Sequence, residues 1–497
     1  MKQLFAKKPL DLILEEAKGE NRLRRVLGPV ALTSLGVGCI IGTGIFVLTG
    51  IAAHDKAGPA IILSFLIAGT ACVFAALCYA EFASMVPIAG SAYTYAYTTL
   101  GEIFAWIIGW DLILEYAIGA ASVAHGWSHY FQDFIGIFGL KIPPIFSRAP
   151  FDFDTAAGHF FNTGALFDLP AMIITLIITA ILIKGIRESA GFNAVMVIIK
   201  VAIVLFVIVV GAFYINPANW KNFAPMGFGG LSFFGNVVWG QIAADGAPLG
   251  MLAGAAMIFY AYIGFDSVST HAEEARRPER DVPIGIIASL LICTVLYVAV
   301  SAILTGMVPY NEISIDAPVS DAFGRVGLTW AKFIISLGAI TGITSVLLVL
   351  MLSQPRVFLA MARDGLVPKK FFGAVHTKFR TPYKTTILTG IFVAILSGLL
   401  PLRVLAELVN IGTLFAFIVV CMGVLIMRRT NPEAKRPFRT PWYPFVPIMG
   451  VLVCTLLMFS LPIENWYRLG IWLVIGIFIY YFYGRKHSVM HLRNNNK

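Results

Sequence analysis

Residues 38–46 read GCIIGTGIF, in the middle of an apolar run that extends from about residue 26 to 53. The run is long enough to cross a bilayer. Yet Gly36, Gly38, Gly42 and Gly44 crowd the stretch that lies deepest in lipid, and glycine in a helix interior costs about 1 kcal/mol relative to alanine. A spanning segment weakened at that depth needs a reason. A second stretch answers it. Residues 259–270, FYAYIGFDSVST, set Gly264 beside Asp266 in the sixth apolar run, again near its centre. Paired interruptions at corresponding places in two halves of a chain point to an inverted-repeat transporter. Irregular backbone at membrane depth survives only where protein buries it or where it lines a polar cavity. Close helix packing on small residues is the rival explanation for the first stretch alone, and the partner stretch counts against it.

The composition agrees with a membrane protein. Of the 497 residues 58% are apolar and only 13% charged, and mean hydropathy is +0.82, whereas a soluble domain carries about 25% charged residues. Apolar runs recur near 29–53, 59–86, 102–128, 169–187, 191–214, 251–270, 284–308, 330–355, 385–400, 404–427, 443–462 and 468–484. The expected class is an all-α polytopic membrane protein of about twelve spans. Two longer loops, about 132–168 and 215–250, are rich in Phe, Gly and Pro and are expected to cover the outer face with short helices. Residues 1–28 read as a cytosolic amphipathic lead-in, because charges interrupt their apolar patch and leave no signal-peptide core.

The net charge of +10 is a matter of topology. About 27 of the 37 Lys and Arg residues fall in segments on one side of the twelve spans, the chain ends included. This asymmetry expects a plasma-membrane protein with both termini in the cytoplasm, and no nucleic-acid partner. The six cysteines all lie in apolar runs without metal spacing, so buried thiols are expected. His125, His129 and Asp133 stand four apart but lack a convergent fourth ligand, and read as interfacial polar residues. No P-loop, HExxH or GxSxG is present, so neither an enzyme nor a resident cofactor is expected.

Three further ionisable residues fall inside spans, where a charge marks a site or pathway by default. Lys200 lies about 14 Å along its helix from the start near Gly191, too deep to snorkel. It either exchanges the coupling proton, since burial makes its charge costly, or serves as a structural cation on carbonyls of the broken helices. Asp111 and Glu115 share a helix face. Glu115 is the deeper and could accept a cationic side chain or a proton. Asp111 reads as structural, a residue that a basic side chain could pair.

Several motifs together resemble the amino acid–polyamine–organocation superfamily, and within it bacterial relatives of the cationic amino acid transporters. LRRVLGPVALTSLGVGCIIGTGIFVLTG is similar to that subgroup's opening signature, and AEFASMVPIAGSAYTYAYTTLGE to the loop after the second span. GFDSVSTHAEEARRPERDVPIGI, SQPRVFLAMARDGLVPKKF and LVNIGTLFAFIVV resemble its later signatures, and the likeness runs from about Pro9 to Lys486. The resemblance implies a five-plus-five inverted repeat with spans 1 and 6 broken at mid-membrane: a first repeat over 29–215, a second over 216–430, two appended helices over 431–484 and a tail over 485–497. It also implies how an L-amino acid is held. The carboxylate would meet backbone N–H groups of Gly42, Thr43 and Gly44 at a helix end with a positive dipole. The ammonium would meet carbonyls of Ile40, Phe259, Ala261 and either Tyr260 or Ile263. Phe259 and Tyr262 resemble aromatic gates, and Cys39, Glu115, Tyr262 and Asp266 would line the side-chain pocket. Lys200 matches the lysine that replaces sodium in proton-coupled relatives. The expected function is proton-coupled uptake of neutral to cationic amino acids by alternating access. An exchanger or sodium symporter of the same fold and a non-transporting amino acid sensor are the alternatives. A small partner subunit remains open.

Overall fold

The computed structural model describes residues 5–9, 27–86, 91–154, 159–184, 187–243, 246–377, 379 and 381–495. The amphipathic lead-in expected over 1–28 falls outside these apart from 5–9 and 27–28, as do residues 87–90 of the loop motif after the second span.

Among the described residues, twelve main helices carry the fold. They are α1 (Pro29–Ile40), α2 (Ile61–Met85), α3 (Glu102–Ile137), α4 (Leu169–Lys184), α5 (Arg187–Gly211) and α6 (Met251–Ile258), then α7 (Pro278–Met307), α8 (Thr329–Arg363), α9 (Tyr383–Leu399), α10 (Leu402–Thr430), α11 (Phe445–Phe459) and α12 (Ile463–Ile479). Eight helical stretches among the described residues are long and apolar enough to cross a membrane, and α1, α4, α9 and α11 are shorter apolar helices. The expected all-α, polytopic class is therefore what the chain forms. α3 and α6 are the most enclosed, whereas α5 and α12 turn much of their surface outward. That surface is apolar, with Ile198, Leu205 and Val209 on α5 and Ile471 and Val474 on α12 exposed, as lipid-facing positions should be.

The packing places α3 at the centre. It runs along α8 and α10, while α7 lies on α1 and α2, α9 on α4 and α11 on α10. Trp106 and Trp110 of α3 lock it to α12: their indole N–H groups donate to Gly476 O and Trp472 O, both at 2.8 Å. All six cysteines are buried free thiols.

The two long loops differ from expectation. α3 continues to Ile137, and the loop beyond it holds the hairpin β1 (Phe151–Asp154) with β2 (His159–Asn162). The second loop holds β3 (Leu231–Phe233) with β4 (Asn236–Trp239) and β5 (Gln241–Ile242) with β6 (Pro248–Leu249). Among the described residues, helix there is confined to single turns such as Pro144–Phe146 and Pro217–Trp220. The FDFD alternation has period two, which suits a strand and not a helix, and richness in Phe, Gly and Pro concealed it.

Candidate functional site

Both expected interruptions are present, and they meet. α1 stops at Ile40, and Ile41 is extended with φ −73° and ψ 101°. The chain bends at Ile41 and Gly42, then resumes as a wide π-helical turn over Gly44–Leu48, with Thr43 already in helical geometry. The opening is thus centred on Ile41 and Gly42, two residues before Thr43 and Gly44, whose backbone is already helical. Beyond it, the N–H groups of Gly42, Thr43 and Gly44 find no backbone acceptor among the described residues. They form the free first turn of a helix, which favours an anion.

The sixth span opens in a different way. α6 ends at Ile258, a 3₁₀ turn covers Phe259–Tyr262, and Ile263 is extended. Gly264 then takes φ +118°, a left-handed conformation that only glycine adopts without strain. A short helix resumes at Ser267–Thr270. The two breaks touch so closely that neither tolerates a side chain. A Cβ on Gly44 would lie 2.4 Å from Ala261 Cα, and one on Gly264 would lie 2.6 Å from Cys39 Sγ.

Three side chains absent from the expected site hold the breaks in place. Tyr297 of α7 donates its hydroxyl to Ile40 O at 2.6 Å, with Ala261 O at 3.0 Å. One phenol thus bridges a carbonyl from each break. Ser122 of α3 and Tyr260 share a hydrogen bond of 2.6 Å. Asn410 of α10 donates to Ala256 O at 3.2 Å and Met257 O at 3.4 Å, carbonyls that the end of α6 leaves without helical partners. Each sits in an apolar run whose pattern gives no hint of a contact 36 to 257 residues away. A lone polar residue inside a span was the only available signal.

Lys200 lies on the other side of the first break. Its ammonium donates to Gly38 O, to Ile41 O at 2.9 Å and to Ser345 Oγ of α8 at 2.7 Å. Three hydrogens meet three acceptors, which satisfies a buried amine. Among the pocket residues, Asp266 accepts from Tyr116 Oη at 2.8 Å, and Cys39 packs on Gly264. Phe259 packs edge-on against Phe417, with ring centres 5.8 Å apart. Tyr262 turns toward α2 and α7: its hydroxyl donates to Phe65 O at 2.7 Å and its ring meets Tyr297. Glu115 is buried with both carboxylate oxygens lacking a hydrogen-bond donor among the described residues. Asp111 is in the same position, so the basic partner expected for it is not among the described residues.

The C-terminal end of α3 is tied down by polar contacts. Asp168 accepts from Ser128 Oγ at 2.6 Å and caps α4 through Ala171 N at 3.1 Å. Asp133 pairs with Lys332 at 2.9 Å and accepts from Ser336 and Ser320. Among the described residues no group of His, Cys, Asp and Glu is arranged to hold a metal.

The chain matches the amino acid permease family over residues 27–480. It is 46% identical to a methylthioribose transporter of Bacillus subtilis, over 99% of this chain and 100% of that one. It is 45% identical to the branched-chain amino acid permease BcaP of the same organism, over 98% and 99% of the two chains. A vacuolar cationic amino acid transporter 4 of Arabidopsis thaliana is 32% identical over 99% and 97%. With its broken first and sixth spans in contact, this chain belongs to the amino acid permease family of the amino acid–polyamine–organocation superfamily, and resembles its cationic amino acid transporter branch.

Proposed function

We propose that the protein imports neutral to cationic L-amino acids together with a proton across the plasma membrane, with both chain ends inside. The observation that carries this reading is the contact of Lys200 with the first break. Its ammonium joins Gly38 O and Ile41 O to Ser345 on α8. Removing one proton from that amine removes a cation and a donor from the break. The free N–H groups that would hold a substrate carboxylate lie directly beyond it. A proton and a substrate that act on the same few residues are thermodynamically linked. The carbonyls of Ile40 and Ala261 would take the substrate ammonium, since the single hydrogen of Tyr297 can satisfy only one of them at a time.

The test is uptake into proteoliposomes carrying an imposed pH gradient, with labelled leucine as the first probe. Leucine should accumulate when the outside is acidic, and Lys200→Ala should abolish that accumulation. Uptake that survives the substitution and follows sodium instead would overturn proton coupling. The 46% identity to a methylthioribose transporter favours a second cargo, a neutral solute without an α-amino acid head. Hydroxyls of such a solute would suit the free acceptors of Glu115 and Asp266. Competition of unlabelled methylthioribose against leucine separates the two readings.

A further inference from the structure

The face of α3 that brings Glu115 to the substrate pocket continues past it to Asp111, which substrate binding does not use. Tyr116 satisfies only one oxygen of Asp266. Asp266 Oδ1, both oxygens of Glu115 and both of Asp111 are buried without a hydrogen-bond donor among the described residues. Thr413 lies beside Glu115, but its hydroxyl hydrogen goes to Val409 O at 3.0 Å. Lys200 has spent its hydrogens on Gly38, Ile41 and Ser345. The ionisable groups around these carboxyls are one another, Tyr116, Tyr79, Tyr95 and Cys39, none of them a cation.

Asp266 and Asp111 each lie close enough to Glu115 to act on its charge. Ionising them together is costly, because like charges in a medium of low polarity repel strongly and lack water to screen them. Their protons belong to the group and not to single residues. The order along α3 also has a direction. Asp111 is one turn, about 6 Å, nearer than Glu115 to the face that bears the chain ends. Gly412 of α10 leaves space for its carboxyl there, since a Cβ at that position would lie 2.8 Å from Asp111 Oδ1. Next toward that face, Tyr93 passes beside Gly109 and donates to Asp364 at 2.6 Å, and Lys8 pairs with Asp364 at 2.7 Å.

We propose that Asp111 is a proton-exchange site that passes the coupling proton between the Glu115–Asp266 pair and the face carrying the chain ends. The step is a simple transfer. A carboxylic O–H of the pair gives its proton to an Asp111 oxygen, leaving a carboxylate behind, and Asp111 then gives it to water at that face. This rests on the proton-coupled reading above and extends it to a second group besides Lys200.

The full-length protein in liposomes loaded with a pH-sensitive dye provides the test, with leucine as the transported probe. Wild type should admit protons together with leucine, indifferent to replacement of sodium by choline. Asp111→Asn should retain leucine–leucine exchange, which needs no net proton movement, while proton entry and gradient-driven accumulation fall by roughly tenfold or more. Asp111→Glu should restore both. An Asp111→Asn protein with an unchanged ratio of protons to leucine would overturn the proposal. So would one that loses exchange and proton entry to the same degree while remaining folded. If that variant does not fold, Gly412→Ala crowds the same carboxyl, and an unaltered ratio in it is equally fatal. Leucine uptake by wild type without proton entry, or dependent on sodium, would instead sink the proton-coupled reading itself.

Discussion

Arg356 on α8 donates to the carboxylate of Glu274 at 2.7 Å, and both side chains are nearly withdrawn from solvent. Glu274 follows the short helix beyond the α6 break, and its carbonyl accepts from Leu27 N at 2.9 Å. Arg276 N returns the contact to Leu27 O at 2.8 Å. One ion pair and two backbone bonds therefore join the start of α1, the end of the sixth span and α8. Burial pushes the Glu274 carboxyl up, but the Arg356 guanidinium and His271 together hold the group below its usual value near 4.5.

Removal of one partner from this pair is expected to be costly. Glu274→Ala leaves a buried guanidinium without its counter-charge, a loss of about 3 kcal/mol, read as a lower melting temperature in detergent. Exchange of the two charges in a Glu274→Arg, Arg356→Glu double variant should recover part of it, because the pair is then restored. The pH dependence has a definite sign. A carboxyl whose folded value is depressed contributes stability above its unfolded value, and that stability is lost as pH falls through the folded value. Melting curves of wild type should therefore fall below about pH 4.5, more steeply than those of Glu274→Gln. Parallel curves would show that the pair contributes nothing.

Tyr297→Phe removes only a hydroxyl, yet it takes away the one hydrogen that two buried carbonyls, Ile40 O and Ala261 O, share. Loss of a donor from buried acceptors costs about 1–3 kcal/mol. The breaks should also be less well organised for an incoming ammonium. The expected result is a lower melting temperature without substrate and a rise in KM of about tenfold, equivalent to 1.4 kcal/mol of binding. An unchanged KM would mean that Tyr297 supports the helices but not the site.

Asn410→Leu tests the other end of the same opening. The amide of Asn410 serves Ala256 O and Met257 O at the end of α6, and leucine has similar bulk but no donor. A loss of about 1–3 kcal/mol of stability is expected from the orphaned carbonyls. Asn410→Gln, which keeps the donors, should lose less. Equal losses would point to packing of α10 as the cause.

Much of this fold is legible in the chain because the bilayer imposes a coarse grammar. Long apolar runs become helices, as α3, α7 and α8 do, since no other backbone arrangement satisfies itself within a single segment in lipid. The two interruptions were also legible, because Gly42 and Gly44 near the middle of one span and Gly264 beside Asp266 in another break that grammar openly. What escaped depends on contacts remote in sequence. Nothing in LICTVLYVAV shows that Tyr297 reaches Ile40, 257 residues away, and nothing in LVNIGT shows that Asn410 closes the end of α6. The hairpins escaped for a local reason: four-residue strands such as Phe151–Asp154 carry too short a pattern to stand out among Phe, Gly and Pro. The depth of Lys200 was readable from position alone, whereas the partners of its ammonium on the first break and on α8 emerged only from the folded chain.

Two glycines distinguish backbone that the site requires from space that it leaves free. Gly44→Ala would drive a Cβ to 2.4 Å from Ala261 Cα, against main chain that cannot step aside without parting the two breaks. Overpacking of this kind costs about 1–3 kcal/mol, and transport should be lost even where the protein still folds. Gly119 lies on α3 between Glu115 and Ser122, and a Cβ there meets Leu350 at 3.5 Å and Val409 at 4.0 Å, ordinary contact distances. Gly119→Ala should therefore fold at least as well as wild type, with a gain of up to about 1 kcal/mol from helix propensity. Side-by-side melting curves and leucine uptake for the two variants decide the matter. If Gly44→Ala transports as well as Gly119→Ala, the contact between the breaks is not what holds the substrate site.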